Sequence, residues 1–266
     1  MRFLLYNMRY GTGSGLTFHW PLPGAGYIKN TGVNLHRIID FVGSVQPDIA
    51  GLLEVDTGSL RSRSINQAEA IAKTLGQVSS YRTKYGVKGF PNRLPIMRKQ
   101  GNAFITGSHV SNERIHYFDA GIKRLILELE LDDLCIFLVH LSLKYRHRHY
   151  QLRYLHTLVQ KTTKPLIVAG DFNTLWGDYE IELFMAATGL SSANRLGEPS
   201  YPSHAPRKQL DFILHSKDIR VTDFRIPKVR YSDHLPLVCD FEIKAAARPI
   251  GIQRATGTEL WTASNR

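Results

Sequence analysis

The chain is poor in cysteine. Cys135 and Cys239 are its only two, and both lie in apolar runs that alternate as strands do, so both are expected as reduced core residues rather than as a disulfide or metal pair. Long hydrophobic runs are missing as well: nothing approaches the ~18 consecutive apolar residues of a membrane span. The start, Met1-Arg2-Phe3-Leu4-Leu5-Tyr6-Asn7, is too short and too soon polar for a signal peptide. A soluble, cytoplasmic protein is expected, unless a leader segment has been removed. There is no internal repeat, low-complexity block or linker, so the 266 residues are expected to form a single domain over 1–244, with a tail, 245–266, to which no role is assigned. Acidic residues are in deficit, 23 against 34 lysines and arginines. The resulting charge of +11 favours polyanionic partners, a class that holds nucleic acid, anionic lipid headgroups and crowded phosphates alike.

Apolar runs bounded by turn residues predict strands at Phe3 to Tyr6, Ile49 to Glu54, Ala103 to Thr106, Leu125 to Leu131, Cys135 to Leu141, Leu166 to Ala169, Phe212 to Leu214 and Leu237 to Phe241. Helical periodicity falls at Val33 to Val45, Gln67 to Leu75, Tyr150 to Val159 and Tyr179 to Ala187. Mixed strand order with few helices predicts an α/β protein of two packed sheets flanked by helices. Two segments read as loops: Gly11 to Gly32, with Phe18, His19, Trp20 and Tyr27, and Tyr81 to Gln100, basic throughout and interleaved with Tyr81, Tyr85 and Phe90. The latter reads either as a solvated basic loop or as a substrate-facing one, where its aromatics would stack. Gly11-Thr12-Gly13-Ser14-Gly15 lacks the helix and lysine of a phosphate loop, and Arg146-His147-Arg148-His149 reads as a phosphate-facing or solvated surface rather than a metal tract.

Polar residues gather at the C-terminal ends of these strands, the edge where α/β folds place their sites. Asn7, Glu54, His140 and Asp171 each follow or end an apolar strand, with Asn173 two residues beyond Asp171. Ser232-Asp233-His234-Leu235-Pro236 adds a carboxylate and an imidazole, and Asp211 is a carboxylate that could hold a histidine tautomer. A carboxylate at the mouth of an apolar strand suits a hard cation such as Mg²⁺, which needs only one or two carboxylates beside substrate phosphate. Taken singly, each of these residues is as well explained by structure; together they supply metal ligand, base and phosphate donor.

In order along the chain stand Tyr6-Asn7-Met8-Arg9-Tyr10, Leu53-Glu54-Val55-Asp56, Gly101-Asn102-Ala103-Phe104, Val139-His140-Leu141, Gly170-Asp171-Phe172-Asn173, Leu210-Asp211-Phe212 and Ser232-Asp233-His234-Leu235-Pro236. On these blocks the chain resembles the endonuclease/exonuclease/phosphatase superfamily over roughly Arg2 to Glu242. The resemblance implies a four-layer α/β/β/α sandwich, like that of deoxyribonuclease I, and a phosphoesterase using Mg²⁺ or Mn²⁺. It implies that Glu54 is the main metal ligand, supported by Asn7 and Asp233. Asp171 would orient or deprotonate the attacking water, and Asn173 would hold water or a phosphate oxygen. His234, paired with Asp211, and His140 would contact the phosphate and help to protonate the leaving oxygen.

His140 resembles the two-histidine pattern of pancreatic-type deoxyribonucleases, neutral sphingomyelinases and inositol polyphosphate phosphatases, whereas Tyr6-Asn7 departs from the Trp-Asn opening of the abasic-site repair branch. Three functions stay open: a nuclease, slightly favoured by charge; a phosphodiesterase or phosphatase acting on lipid headgroups or small phosphoesters at an anionic membrane surface or in solution; and a non-catalytic phosphate-binding module. Asn102, Arg124, Arg146 and Arg148 are the candidate substrate contacts.

Overall fold

The computed structural model describes residues 1–14, 31–83, 99–118 and 125–244. Most of both expected loops, Arg124 and the tail lie outside the described residues. The chain begins with β1 (Arg2–Asn7), α1 (Gly32–Val45), β2 (Ile49–Asp56), α2 (Gln67–Leu75), β3 (Val78–Thr83) and β4 (Gln100–Thr106). It continues through β5 (Val110–Tyr117), β6 (Leu125–Leu131), β7 (Cys135–His140), α3 (Tyr145–Lys161), β8 (Leu166–Asp171) and α4 (Tyr179–Thr188). It closes with β9 (Ser191–Ser192), β10 (Asp211–His215), β11 (Ile219–Arg225) and β12 (Leu237–Ile243). Among the described residues these strands form two mixed six-stranded sheets, ordered β11-β12-β1-β2-β4-β3 and β5-β6-β7-β8-β10-β9.

Alternation along each strand sorts side chains into layers. Phe3, Leu5, Ile49, Leu53 and Phe104 of the first sheet meet Ile136, Leu138, Ile167, Ala169 and Ile213 of the second in one core between the sheets. The intervening residues Leu4, Tyr6, Ala50, Leu52 and Ala103 face outward onto Leu35, Ile38 and Val42 of α1 and Ala68 and Ile71 of α2. Phe137, Val139, Val168 and Phe212 face Leu152 and Leu155 of α3 and Ile181 and Phe184 of α4. The α/β/β/α sandwich expected from the resemblance is the observed architecture. Gly51 sits at an inward position where a Cβ would come within 2.9 Å of Leu138 Cδ1, so its missing side chain lets the sheets close up.

Helix α2 starts on Asn66, whose side chain accepts from the amides of Ala68 and Glu69, and ends on a left-handed Gly76. Cys135 and Cys239 are buried free thiols, and burial pushes both up to about 12. No helix among the described residues is long and apolar enough to cross a membrane.

Candidate active site

The period-two alternation that builds the central core also builds the site. In β1, Phe3 and Leu5 point between the sheets, so Asn7 continues that row; in β4 the same step from Phe104 reaches Asn102. In β7, β8 and β10 the rows through Leu138, Ala169 and Ile213 end at His140, Asp171 and Asp211. Register sets the last three side by side, since His140 pairs with Asp171 and Asp171 with Asp211.

Glu54 joins by a different device. Leu52 pairs with Ala103 but Val55 pairs with Gly101, so Leu53 and Glu54 together oppose the single residue Asn102. This bulge, with Glu54 at φ 53°, carries Glu54 out of the strict alternation. Its amide donates to Asn102 Oδ1 at 3.3 Å. Asn173 likewise sits at φ 55°, so two of the site's polar residues hold left-handed backbone. Before Asp171, Gly170 is obligatory, because a Cβ there would lie 1.9 Å from the Val139 carbonyl oxygen across the β7–β8 ladder.

The two rows touch. Asn7 Nδ2 donates to Asp171 Oδ2 at 3.2 Å, and His140 lies between the sheets with Nε2 3.1 Å from Asp171 Oδ2 and Nδ1 3.8 Å from Glu54 Oε1. Asp171 Oδ1 accepts from the Asn173 amide at 2.9 Å, and Asn173 Nδ2 donates to the Leu141 carbonyl at 2.9 Å. His234 Nε2 is 3.8 Å from Asp171 Oδ2. Its Nδ1 donates to Asp211 Oδ2 at 2.7 Å, an oxygen that also accepts from Ser200 Oγ at 2.6 Å. Because Oδ2 takes two donors, the proton between the partners sits on the imidazole, leaving Nε2 to face Asp171. Burial alone would lower the imidazole pKa, but the carboxylates of Asp211 and Asp171 outweigh it and raise His234 to about 10. Burial pushes the Asp211 carboxyl up, against the opposing pull of His234.

The remaining expected residues divide. Asp233 turns to Arg9, with Nε 3.3 Å from its Oδ2, and Arg9 is itself buried. Arg146 is exposed at the start of α3. Arg148 is not a surface residue: it is 1% exposed, its Nη1 donates to the carbonyls of Ser142, Leu143 and Asn173, and its Nε and Nη2 grip the Glu180 carboxylate. It clamps the loop after His140 to the loop after Asp171, and the reading of this tract as a phosphate-facing or solvated surface is corrected at that position. Arg9, Ser200 and Tyr201, whose ring lies tilted at 49° against His234 with centroids 4.9 Å apart, are site residues that the sequence pattern does not single out. Arg9 stands inside the Tyr6 to Tyr10 block, whereas Ser200 and Tyr201 come close only through folding.

The donor set suits a hard divalent cation. Glu54, Asp171, Asp211 and Asp233 bring four carboxylates to one edge, and oxygen donors of this kind are what Mg²⁺ and Mn²⁺ prefer. Asp171, Asp211 and His234 offer ligand atoms within 4.8 Å of one another, but the His234 to Asp211 hydrogen bond accounts for that closeness. Asn7 Oδ1 accepts from the Arg9 amide at 3.2 Å, so both polar atoms of the Asn7 side chain are engaged. Asn102 Nδ2 and Asp211 Oδ1 are buried without a hydrogen-bond partner, a cost that a bound group would relieve.

Carboxylates, paired histidines and amide donors at the strand ends of such a sandwich define a phosphoesterase-type centre. The sequence model of the "Endonuclease/Exonuclease/phosphatase family" matches residues 4–234, and the chain belongs to that family, whose members are mainly hydrolytic phosphoesterases and generally use divalent metals. Similar solved structures include an endonuclease/exonuclease/phosphatase from Beutenbergia cavernae, with 17% identity, a TM-score of 0.69 and coverage of 92% of this chain and 72% of that one. The human nocturnin catalytic domain with bound sulfate shows 23% identity and a TM-score of 0.65 over 92% of this chain and 93% of its own. A Bacteroides thetaiotaomicron mannosyl-6-phosphatase shows 15% identity and a TM-score of 0.66 over 91% and 100%. At these identities the likeness is one of fold. No curated protein sequence matches significantly.

Proposed function

We propose that the chain is a Mg²⁺- or Mn²⁺-dependent hydrolase of phosphodiester bonds, with nucleic acid the slightly favoured substrate. The observation that carries the reading is the meeting of the two strand-end rows at Asp171, whose carboxylate takes a hydrogen bond from Asn7 of the first sheet and stands 3.1 Å from His140 Nε2 of the second, with the Asn173 amide of the following loop holding its other oxygen. Glu54, with Asn7 and Asp233 in support, would hold the cation, which when bound neutralises charge on the phosphate. Asp171 orients the attacking water and accepts its proton, and its two oxygens are fixed by the Asn7 and Asn173 donors. His234, kept protonated by Asp211, presents Nε2 to a phosphoryl oxygen or to the leaving oxygen, and His140 stands across Asp171 as a second donor. Donors held in place before the substrate arrives contribute heavily to phosphoryl transfer, at about 2.7–4 kcal/mol of barrier each.

The charge of +11 supports nucleic acid, as do the exposed Lys144, Arg146 and Arg153 at and beyond the start of α3. A lipid headgroup is the second reading, supported by the exposed apolar side chains Leu143, Tyr179 and Leu183 on the segments that follow His140 and Asp171. Supercoiled plasmid and bis-p-nitrophenyl phosphate, incubated side by side with Mg²⁺, Mn²⁺ or EDTA, test the proposal. Plasmid nicking that needs metal and disappears in Asp171→Ala is expected. Cleavage of the small diester alone would move the reading to lipid or soluble phosphoesters.

A further inference from the structure

Trp176 is 88% exposed, although it lies only three residues beyond Asn173. The turn that carries it is firmly held. The Leu175 amide donates to the Asn173 carbonyl at 2.9 Å, and the Gly177 amide donates to that of Thr174 at 3.3 Å. Thr174 is buried and donates through Oγ1 to the Gln209 carbonyl at 3.2 Å, while Arg148 holds the Asn173 carbonyl from below at 3.1 Å. Lys208 Nζ donates to the carbonyl of Leu175, the residue before Trp176, and an ammonium so engaged keeps two further donors. Lys208 is bridged to Tyr201, whose ring lies tilted against His234. The indole therefore stands on a pinned platform joined on one side to Asn173 and on the other to the His234 ring, and it fills no place in the protein's own core.

We propose that Trp176 and Lys208 form a nucleobase subsite beside the scissile phosphate, the indole stacking on a base and the ammonium meeting the adjoining phosphate. The proposal rests on the nuclease reading above and deepens it. A flat, preorganised ring face is what a base requires, and such stacking is tolerant of sequence. The other occupant to weigh is a bilayer, since Leu143, Tyr145, Tyr179 and Leu183 are also exposed. Asp178 and Glu182, exposed beside those side chains, would be pressed against an anionic surface, whereas a base stacked on the indole leaves them in water.

The test compares the full chain and its Trp176→Ala and Trp176→Phe variants on two single-stranded DNA substrates of equal length and charge, one bearing all its bases and one abasic on both sides of a single defined linkage. Trp176→Ala should raise KM for the base-bearing strand by about tenfold or more, with kcat changed by less than about twofold, and leave KM for the abasic linkage unchanged. Trp176→Phe should recover most of the loss, and neither variant should change the unfolding temperature. An equal effect on both strands, or no effect on either, would overturn the subsite while wild-type cleavage kept the nuclease reading. A wild-type protein that cleaves neither strand would overturn both. Loss of sedimentation with phosphatidylserine vesicles in Trp176→Ala, with KM for DNA unchanged, would replace the base by a bilayer.

Discussion

Arg148 separates a structural role from a substrate role. Its guanidinium reaches Glu180 and the carbonyls of Ser142, Leu143 and Asn173, with side-chain exposures of 1% for Arg148 and 14% for Glu180. Removing one partner of a pair so buried leaves an uncompensated charge and costs about 3–5 kcal/mol. Set against a typical domain stability of about 5–15 kcal/mol, that is a large share. Arg148→Ala should therefore lower the unfolding temperature by about 6–20 °C. Arg148→Lys should rescue little, because a single ammonium cannot replace a fork that reaches a carboxylate and three carbonyls together. Arg148→Met combined with Glu180→Leu should recover much of the stability, since no charge is then left buried alone. Urea denaturation of the four proteins measures these differences, with exposed Arg146→Ala as a control expected within about 0.5 kcal/mol of wild type. An Arg148→Ala protein of unchanged stability and raised KM would refute the reasoning and return Arg148 to the substrate.

Gly170→Ala should abolish turnover, because the added methyl must push β8 from the Val139 carbonyl and so shift Asp171 from His140; circular dichroism and activity read the two effects apart. Asp240 is held below the usual carboxylate range, first by its hydrogen bonds from Arg2 at 2.7 and 2.9 Å and then by the Arg2 charge, with burial opposing. A lowered carboxylate pKa contributes stability that is present above its unfolded value of about 3.9 and is lost as pH falls through the folded value. Arg2→Met should thus be less stable than wild type at pH 7, and the gap should narrow below about pH 4. A gap independent of pH would show that Arg2 acts through packing alone.

The central strands were legible because their side chains are apolar on both faces, as in the burial of β1 from Phe3 onward and the uninterrupted burial of β7 and β8. Strands β3, β5 and β11 lie at or beside sheet edges and were not expected. Ser79-Ser80-Tyr81-Arg82, Ser111-Asn112-Glu113-Arg114 and Thr222-Asp223-Phe224-Arg225 lack the apolar signal that marks a buried strand. The start of α3 was hidden in the same way: Arg146-His147-Arg148-His149 reads as surface, yet one arginine turns inward to hold two loops. At the site, the gathering of polar residues at one strand edge was readable from chain position. The bulge that brings in Glu54 depends on pairing with β4, and the hold of Ser200 on Asp211 spans residues linked only by the fold. Neither leaves a trace in local periodicity.

The claim that the two strand-end rows make one cation and phosphate centre is tested most directly by calorimetric titration of Mn²⁺ into the wild-type chain and Glu54→Gln. The account predicts saturable binding by wild type that is lost or strongly weakened in Glu54→Gln, with the unfolding temperature of the metal-free variant close to that of wild type. Equal binding by both proteins would contradict it and place the cation elsewhere.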